Sequence, residues 1–219
     1  MLKIFYTPIH ITSFDIHSLY MIRSFEKIEN TLNNMNKEDY LYGLNEFIEH
    51  SFSQIVQAIP NTVLVIIGDT PSQSLNKNLQ SKELILSTAK KHQIEHHIIF
   101  TGNISDDNIL SSFYYLADLH VFPVKHIPDD PEGFGMVAIE AAAHGTPTIA
   151  FATGGIVDAV QNHRTGYLVE NKDYQDFTHK TIRFLKEESL ISQQDCQTYA
   201  EKFAWYNLNS KFEKMIVSL

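Results

Sequence analysis

The chain has 219 residues, of which 43% are hydrophobic and 20% are charged, and its formal net charge is -9 with a pI of about 5.6. This composition is typical of a soluble globular protein, and the absence of a basic stripe argues against nucleic acid as a partner. The single cysteine, Cys196, excludes an internal disulfide and favours a reducing compartment.

The first 60 residues predict one strand and two helices. The run "LKIFYTP" (2–8) is predicted to be an opening strand, and residues 16–28 and 40–59 have helical patterns. Between the two helices, "NTLNNMNKED" (30–39) predicts a turn.

From residue 62 onwards, short apolar runs alternate with helical patterns. The predicted strands are 62–69, 97–102, 119–123 and 147–151. The first predicted helix has Ser81 as its N-cap and an apolar face of Leu84, Ile85, Thr88 and Ala89. The second covers 105–118 with Ser105 as its N-cap, the third covers 136–144 and ends before Gly145, and the fourth begins at "GGIVDAV". This alternation predicts an α/β fold with a doubly wound, Rossmann-like parallel sheet.

The tail is predicted to be helical, with two apolar stripes that pack in the core. The stripes are Tyr174, Phe177, Thr181 and Phe184, and then Leu208, Phe212, Met215 and Ile216.

Glycines lie at two predicted strand-to-helix junctions. In an open parallel sheet, ligands bind beyond the carboxyl ends of the strands. Gly133 and Gly135 let the backbone approach such a ligand, and the helix from Met136 adds the positive end of its dipole. Gly154 and Gly155 repeat the arrangement at the next junction. Two helix N-termini at one crevice predict a diphosphate site.

Two acids lie in the same region, Glu132 before the predicted helix and Glu140 within it. An ionised carboxylate can accept hydrogen bonds from vicinal hydroxyls. Glu132 is placed at the sugar end of the crevice and Glu140 where a ribose lies. The combined pattern predicts a ligand in which phosphates link a sugar to a nucleoside.

The stretch "EGFGMVAIEAAAHGTPTIAFATGG", which begins at Glu132, resembles the donor-site signature of retaining glycosyltransferases of family 4 (glycosyl transferases group 1), which have the GT-B fold. The resemblance extends over roughly residues 62–218, through "VLVIIGDTP", "HIIFTGNISDDNILSSFYYLADLHVFP" and "FAWYNLNSKFEKMI". It implies that residues 1–219 form a single Rossmann-like nucleotide-sugar-binding domain, the C-terminal half of a GT-B fold. Its parts are a divergent segment 1–60, a core 62–187 and C-terminal helices 189–219.

The resemblance also implies residue roles. Glu132 is the catalytic candidate and binds donor-sugar hydroxyls, while Glu140 binds the ribose. Phe134 and Gly135 offer backbone N–H groups to the sugar. The other donor-binding positions that it implies are Gly154 and Gly155 near the diphosphate, and Asn103 and Ile104 near the base.

The sequence departs from the family at the basic pair that neutralises the leaving diphosphate. One alignment sets "FYTPIHITSFD" on the first strand, with Ile9 or His10 and Asp15 at the basic positions. The other sets "YGLNEFIEHSFSQIVQAIPN" on the usual K-G-helix pattern, with Tyr42 in place of the lysine. Neither supplies the pair, and Lys125 with His126 is the candidate substitute.

The resemblance implies transfer of a hexose from a UDP-, GDP- or ADP-linked sugar to a saccharide or lipid acceptor in glycan biosynthesis, with retention and without a metal or other cofactor. The acceptor half is expected from a separate subunit, with self-association as the alternative use of the apolar C-terminal face. Two rival functions stay open: a catalytically silent sugar-nucleotide or partner-binding module, and an ordinary dinucleotide-binding domain, which the lack of a G-x-G-x-x-G after the first strand weakens. The expected location is the cytoplasm, with peripheral attachment at the inner membrane face as an alternative.

Overall fold

The structure, a computed structural model, describes residues 18–22, 40–41, 43–68, 80–126, 134–187, 191–204 and 207. Its strands are β1 (Ser18–Ile22), β2 (Tyr40–Leu41), β3 (Val63–Ile67), β4 (Gln80–Ser81), β5 (Ile98–Gly102), β6 (Leu119–Phe122), β7 (Thr148–Phe151) and β8 (Gly166–Val169).

A continuous helical segment, the 44–58 helix, is made of α1 (Leu44–Phe47), a π-helical turn (Ile48–Phe52) and α2 (Ser53–Ala58). The later helices are α3 (Lys82–Lys91), α4 (Asp107–Leu116), α5 (Met136–Ala143), α6 (Ile156–Ala159), α7 (Tyr174–Lys186) and α8 (Gln193–Ala200), with 3-10 turns at Glu95–His97 and Glu201–Phe203.

In the described residues, six strands form one sheet in the order β5-β3-β1-β6-β7-β8. β3 is parallel to β5, and β6, β7 and β8 are parallel to one another. Alternate residues of β3 enter different clusters: Leu64 and Ile66 pack on the side of the 44–58 helix, α3 and α7, and Val63 and Val65 pack on the side of α4 and α5. Helices therefore cover both faces, and the predicted doubly wound α/β fold is confirmed.

The centre of the sheet departs from the prediction. β1 lies between β3 and β6 and is antiparallel to both. The helix predicted over 16–28 is therefore wrong at Ser18–Ile22. Both neighbouring strands are buried, and their inner-edge N–H and C=O groups need partners that a strand supplies and a helix does not. The predicted opening strand at 2–8 lies outside the described residues.

The second predicted helix, 40–59, is confirmed from Leu44 to Ala58. Its first residues differ, because Tyr40–Leu41 pairs with Gln80–Ser81 as a short antiparallel ribbon. Gly43 then turns the chain with a φ of 75°, in the left-handed region that favours glycine, and the helix follows.

Three local predictions need correction. The N-cap of α4 is Asp106 and not Ser105, because the Asp106 carboxylate accepts the N–H groups of Asn108 and Ile109 at 2.8 and 3.3 Å. Leu84, at the edge of the predicted apolar face, is 45% exposed. The strand β8 went unpredicted, because its sequence GYLV begins with a glycine and contains only one β-branched residue, Val169.

The tail is helical in α7 and α8, as predicted. In α7, the stripe residues Phe177 and Thr181 are buried, and the Phe177 ring packs edge-on to Phe47 of the 44–58 helix with 5.4 Å between centroids. Full burial of such a side chain contributes about 1.5–3 kcal/mol. The second predicted stripe, at 208–216, lies outside the described residues.

Candidate functional site

The 44–58 helix begins against the loop that follows β6. A Cβ added to Gly43 would stand 2.7 Å from the Pro123 carbonyl oxygen. The hydroxyl of Thr153 donates to the Val124 carbonyl at 3.0 Å, which ties the same loop to the turn after β7. The segments beyond the carboxyl ends of β6 and β7 therefore meet the N-terminus of the 44–58 helix.

Lys125 lies in this loop, where the sequence predicted a substitute for the basic pair. Its Nζ donates to Oε1 of Glu46, in the first turn of the 44–58 helix, and both side chains are 28% exposed. Most of each side chain is therefore covered by protein, and the Lys125 charge is balanced by the Glu46 carboxylate. The backbone N–H of His126 donates to Oδ1 of Asn171 at 3.2 Å, which orders the end of the described loop.

Phe134 and Gly135 precede α5. The Phe134 ring is partly buried and lies 5.2 Å from the Phe203 ring, centroid to centroid, so this side chain packs against the C-terminal part of the chain. Gly135 has a φ of 75°, and a Cβ there would lie 3.3 Å from a ring carbon of Phe122 and 3.4 Å from Ile156. What these two residues can offer a ligand is their backbone.

Glu140 is half-buried on α5, and Oε2 of its carboxylate accepts the hydroxyl of Tyr114 at 2.7 Å. Burial raises the pKa of Glu140 above its ordinary value, the Tyr114 hydrogen bond lowers it, and nearby Asp107 raises it. The Glu140 carboxylate is therefore partly shielded from water and fixed by a hydrogen bond, and a carboxyl group with a shifted pKa in such a position is a candidate for ligand binding.

Gly154 and Gly155 form the turn between β7 and α6. Gly154 is exposed with a φ of 49°, and the N–H of Ile156 donates back to the Thr153 carbonyl at 3.1 Å. This turn lies beside Gly135, because Ile156 and Ala159 are the neighbours that a Gly135 Cβ would meet. The two glycine-bearing junctions predicted from the sequence are therefore adjacent.

Asn103 and Ile104 follow β5, at the far edge of the sheet. Asn103 is exposed, while Ile104 is partly buried against the core beside α4. In the sheet, β3 and β1 separate β5 from β6. The contacts of the described residues join Gly43, Lys125, Gly135 and Gly154 into one region, whereas Asn103 follows β5, two strands away from β6 in the sheet. Glu132, Gly133 and Tyr42 lie outside the described residues.

Sequence reasoning missed Glu46 and Tyr114, which contact two of the predicted site residues. Glu46 follows Gly43 by three positions in a pattern that was recognised, so the motif indicated its place although not its partner. Tyr114 had no signal, because it reaches Glu140 through the packing of α4 on α5.

Within the residues described, no cluster of three or more His, Cys, Asp or Glu side chains is arranged to hold a metal ion. Among the same residues, no helix has the length and apolar character that crossing a bilayer requires.

A sequence model of the family "Glycosyl transferases group 1" matches residues 26–203. The chain belongs to this family. The match confirms the resemblance seen from residue 62 and extends it upstream to residue 26, so that it includes the 44–58 helix. It decides against an ordinary dinucleotide-binding domain.

Among characterised relatives, this group 1 glycosyl transferase chain is 30% identical over 169 residues to a lipopolysaccharide 1,2-N-acetylglucosaminetransferase of Salmonella typhimurium. The aligned region covers 76% of this chain and 42% of that protein. The chain spans less than half the length of the first curated relatives that it matches.

Solved structures agree with the fold. The C-terminal domain of a glycosyl transferase group 1 family protein (LpcC) from Francisella tularensis matches with a TM-score of 0.59 and 27% identity, over 73% of this chain and 78% of that one. HepE from Anabaena, solved in complex with UDP, matches in fold with a TM-score of 0.61 and 20% identity, over 90% of this chain and 54% of that one. The chain has the fold of the C-terminal half of a GT-B glycosyl transferase.

Proposed function

We propose that this chain is the donor-binding half of a retaining glycosyltransferase, which transfers a hexose from a nucleotide sugar to a saccharide or lipid acceptor. The observation that carries the proposal is that the start of α5 lies beside the turn after β7. Gly135, which has no side chain, precedes α5 next to the exposed Gly154 turn, and the half-buried Glu140 carboxylate lies further along the same helix.

Each feature suits one part of the donor. The Glu140 carboxylate accepts hydrogen bonds from the ribose hydroxyls, and backbone N–H groups at Phe134 and Gly135 bind the sugar. The turn at Gly154 and Gly155 lies on the diphosphate side. Glu132, which precedes this backbone by two residues, is the proposed catalytic residue and binds donor-sugar hydroxyls. Asn103 and Ile104 are proposed to border the base.

Catalysis requires positive charge near the leaving diphosphate, and the basic pair that supplies it in the family is missing from this sequence. A preorganised electrostatic contact to developing charge contributes on the order of 2–4 kcal/mol to transition-state stabilisation. The proposed substitute, Lys125, already balances Glu46. If Lys125 stabilises the diphosphate, its ammonium group must bind the diphosphate and the Glu46 carboxylate at the same time. The diphosphate would then approach the exposed part of the ammonium group.

The same observation favours one second candidate function, a catalytically silent sugar-nucleotide or partner-binding module. In that case the Lys125–Glu46 ion pair is structural, and the chain binds nucleotide sugars without turning them over.

The acceptor half is proposed to come from outside the described fold, because GT-B enzymes form their active site between two domains. A separate acceptor-domain subunit is the proposed source, and self-association is the alternative. Location in the cytoplasm, with peripheral attachment at the inner membrane face, belongs to the same proposal, as does a reaction that uses no metal.

Titration calorimetry with UDP, GDP and ADP tests donor binding, and UDP is the first probe because the Anabaena fold neighbour was solved with it. We expect weak but measurable binding of one of the three. A lack of heat with all three at millimolar concentration would contradict the proposal. Turnover of a panel of nucleotide sugars, with and without the product of the neighbouring reading frame, then separates the enzyme from the silent module.

A further inference from the structure

The hydroxyl of Tyr114 is the group on α4 that contacts the Glu140 carboxylate. It lies 2.7 Å from Oε2, and Tyr114 is only 2% exposed. Within the described residues, no hydrogen bond reaches the other oxygen, Oε1. The tyrosine therefore occupies one side of the carboxylate and leaves the other for a ligand.

The Tyr114 ring is fixed from several directions. The hydroxyl of Thr146 donates to the Tyr114 carbonyl at 2.7 Å, and the imidazole of His144 stacks on the phenol ring at 4.6 Å with an angle of 12°. A tyrosine with its backbone and ring both held cannot swing its hydroxyl away, so the position of Oε2 is fixed as well.

Burial lowers the pKa of the stacked His144 imidazole and so favours its neutral form, although the hydrogen bond with the Glu140 carbonyl acts in the opposite direction. Its Nδ1 lies 2.8 Å from the Glu140 carbonyl oxygen and its Nε2 lies 3.2 Å from the Ser111 hydroxyl. Since a carbonyl only accepts, Nδ1 carries the proton and Nε2 accepts from Ser111. This arrangement anchors α4 to the end of α5, next to the carboxylate that Tyr114 contacts.

We propose that Tyr114 is a positioning residue for donor binding: its hydroxyl orients the Glu140 carboxylate toward the ribose of the nucleotide. The inference rests on the proposed function of Glu140. It assigns to α4 a part in donor recognition that is separate from the loops at the strand ends.

The groups that act on the carboxylate, among the described residues, are Tyr114 and Asp107 of α4, and Nδ1 of His144 contacts the main-chain carbonyl of Glu140. The hydroxyl of Tyr114 favours the ionised form, and burial with Asp107 favours the protonated form. Removal of the hydroxyl therefore raises the pKa of Glu140, so that binding is lost at a higher pH as the solution is made more acidic.

The test compares Tyr114→Phe with Tyr115→Phe in the full chain. The second variant is a matched control, because Tyr115 also contacts the His144 ring, at 4.9 Å, but is 66% exposed. Calorimetry from pH 5 to pH 8 measures the Kd of whichever of UDP, GDP and ADP the wild type binds, and of its 2′,3′-dideoxy analogue, which lacks the ribose hydroxyls.

We expect Tyr114→Phe to weaken binding of the nucleoside diphosphate about five- to tenfold at neutral pH, the net effect of losing one ordinary hydrogen bond, because the tyrosine acts through Glu140 and does not contact the ligand. The pH below which binding is lost (the acid limb of the affinity profile) should move to a higher value. The affinity for the dideoxy analogue should equal that of the wild type, and Tyr115→Phe should leave both affinities unchanged. Unchanged binding at every pH, or equal weakening of both ligands, would overturn the inference while the proposed function stood. Absence of binding to the wild type would overturn both.

If Tyr114→Phe does not fold, as judged by circular dichroism, 3,5-difluorotyrosine at position 114 replaces it. This analogue keeps the ring and the hydroxyl and is the stronger donor, so the acid limb should move to lower pH. An unmoved acid limb would overturn the inference.

Discussion

Gly43 approaches Pro123 so closely that no side chain fits between them: a Cβ on Gly43 would stand 2.7 Å from the Pro123 oxygen. The contact fixes the start of the 44–58 helix against the loop that carries Lys125. The position of Glu46, one turn into that helix, depends on it.

Gly43→Ala should therefore destabilise the fold for two separate reasons. The left-handed φ of 75° costs an alanine about 1–2 kcal/mol, and the clash with backbone adds about 1–3 kcal/mol. Urea unfolding measures the loss. Gly145→Ala is the control, since its φ is 84° but its new Cβ would lie 3.0 Å from the Cβ of Gln193, a milder contact than the 2.7 Å approach of Gly43 to the Pro123 carbonyl oxygen. Equal losses in the two variants would show that the Pro123 contact carries no strain.

The Lys125–Glu46 pair predicts a non-additive effect on nucleotide affinity. Glu46→Gln releases the ammonium group for the diphosphate and should tighten nucleoside diphosphate binding about two- to fivefold, the range of a partly exposed ion pair. Lys125→Gln should weaken binding. In the double variant the gain from Glu46→Gln should vanish, which calorimetry on the four proteins measures. A gain that persists without Lys125 would show that the amine does not contact the ligand.

Many of the strands and helices of this fold can be predicted from short stretches of the sequence. The strands at β3, β5, β6 and β7 are β-branched or apolar runs bounded by turn residues, and such runs have few alternatives. β1 is different: the apolar spacing around Ser18–Ile22 suits a helix, and only distant strands β3 and β6 make it a strand.

The site shows the same division. Its glycines and Glu140 belong to a sequence motif, and each could be predicted because phosphates favour glycine-rich helix N-termini and hydroxyls favour carboxylates. The partners that hold the site, Glu46 and Tyr114, lie 79 and 26 positions from the residues they contact. Side chains brought together by packing leave no periodic pattern, so sequence reasoning could not find them.

The two glutamates should be separable by ligand. Glu140→Ala should weaken both the free nucleoside diphosphate and the nucleotide sugar, because it contacts the ribose, while Glu132→Ala should weaken only the nucleotide sugar. Loss of such a charged hydrogen bond costs about 1.5–3 kcal/mol. Calorimetry with UDP or GDP and the matching nucleotide sugar makes the comparison. Equal weakening of the free nucleotide by both variants would reverse the ligand orientation.

Burial of Glu140 predicts a pH-dependent effect on stability. Because the pKa of Glu140 is raised in the folded chain, the folded state keeps this proton to higher pH than the unfolded state. Wild-type stability from this group therefore falls as pH rises from its ordinary pKa through the raised one. Glu140→Gln cannot titrate, so its Tm relative to wild type should increase between pH 4 and pH 8.

Glu49→Gln is the control of opposite sign. The hydrogen bond and charge of Lys91 lower the pKa of Glu49, so wild-type stability from this group is present above its ordinary pKa and lost as pH falls through the lowered one. The relative Tm of that variant should decrease over the same pH range. Parallel curves for the two variants would contradict both assignments.

Cys196 should be chemically silent in the folded chain. It is fully buried on α8, and burial raises the pKa of its thiol to about 12. The thiolate is the reactive form, so a disulfide reagent such as DTNB should not react with the native protein and should titrate one thiol after denaturation. Rapid reaction of the native protein would mean that α8 leaves α5 readily.

The antiparallel central strand has a consequence for how the chain reaches its native state. β5 and β3 form one block and β6, β7 and β8 form another, and in the described residues β1 is what pairs with both. Leu19 pairs with Ile66 and with Val121, roughly fifty and one hundred positions further along the chain, and such non-local contacts slow folding. Until β1 docks, the inner edges of β3 and β6 are open to pairing with other chains. Newly made protein thus passes through an interval in which misassembly competes with completion of the sheet.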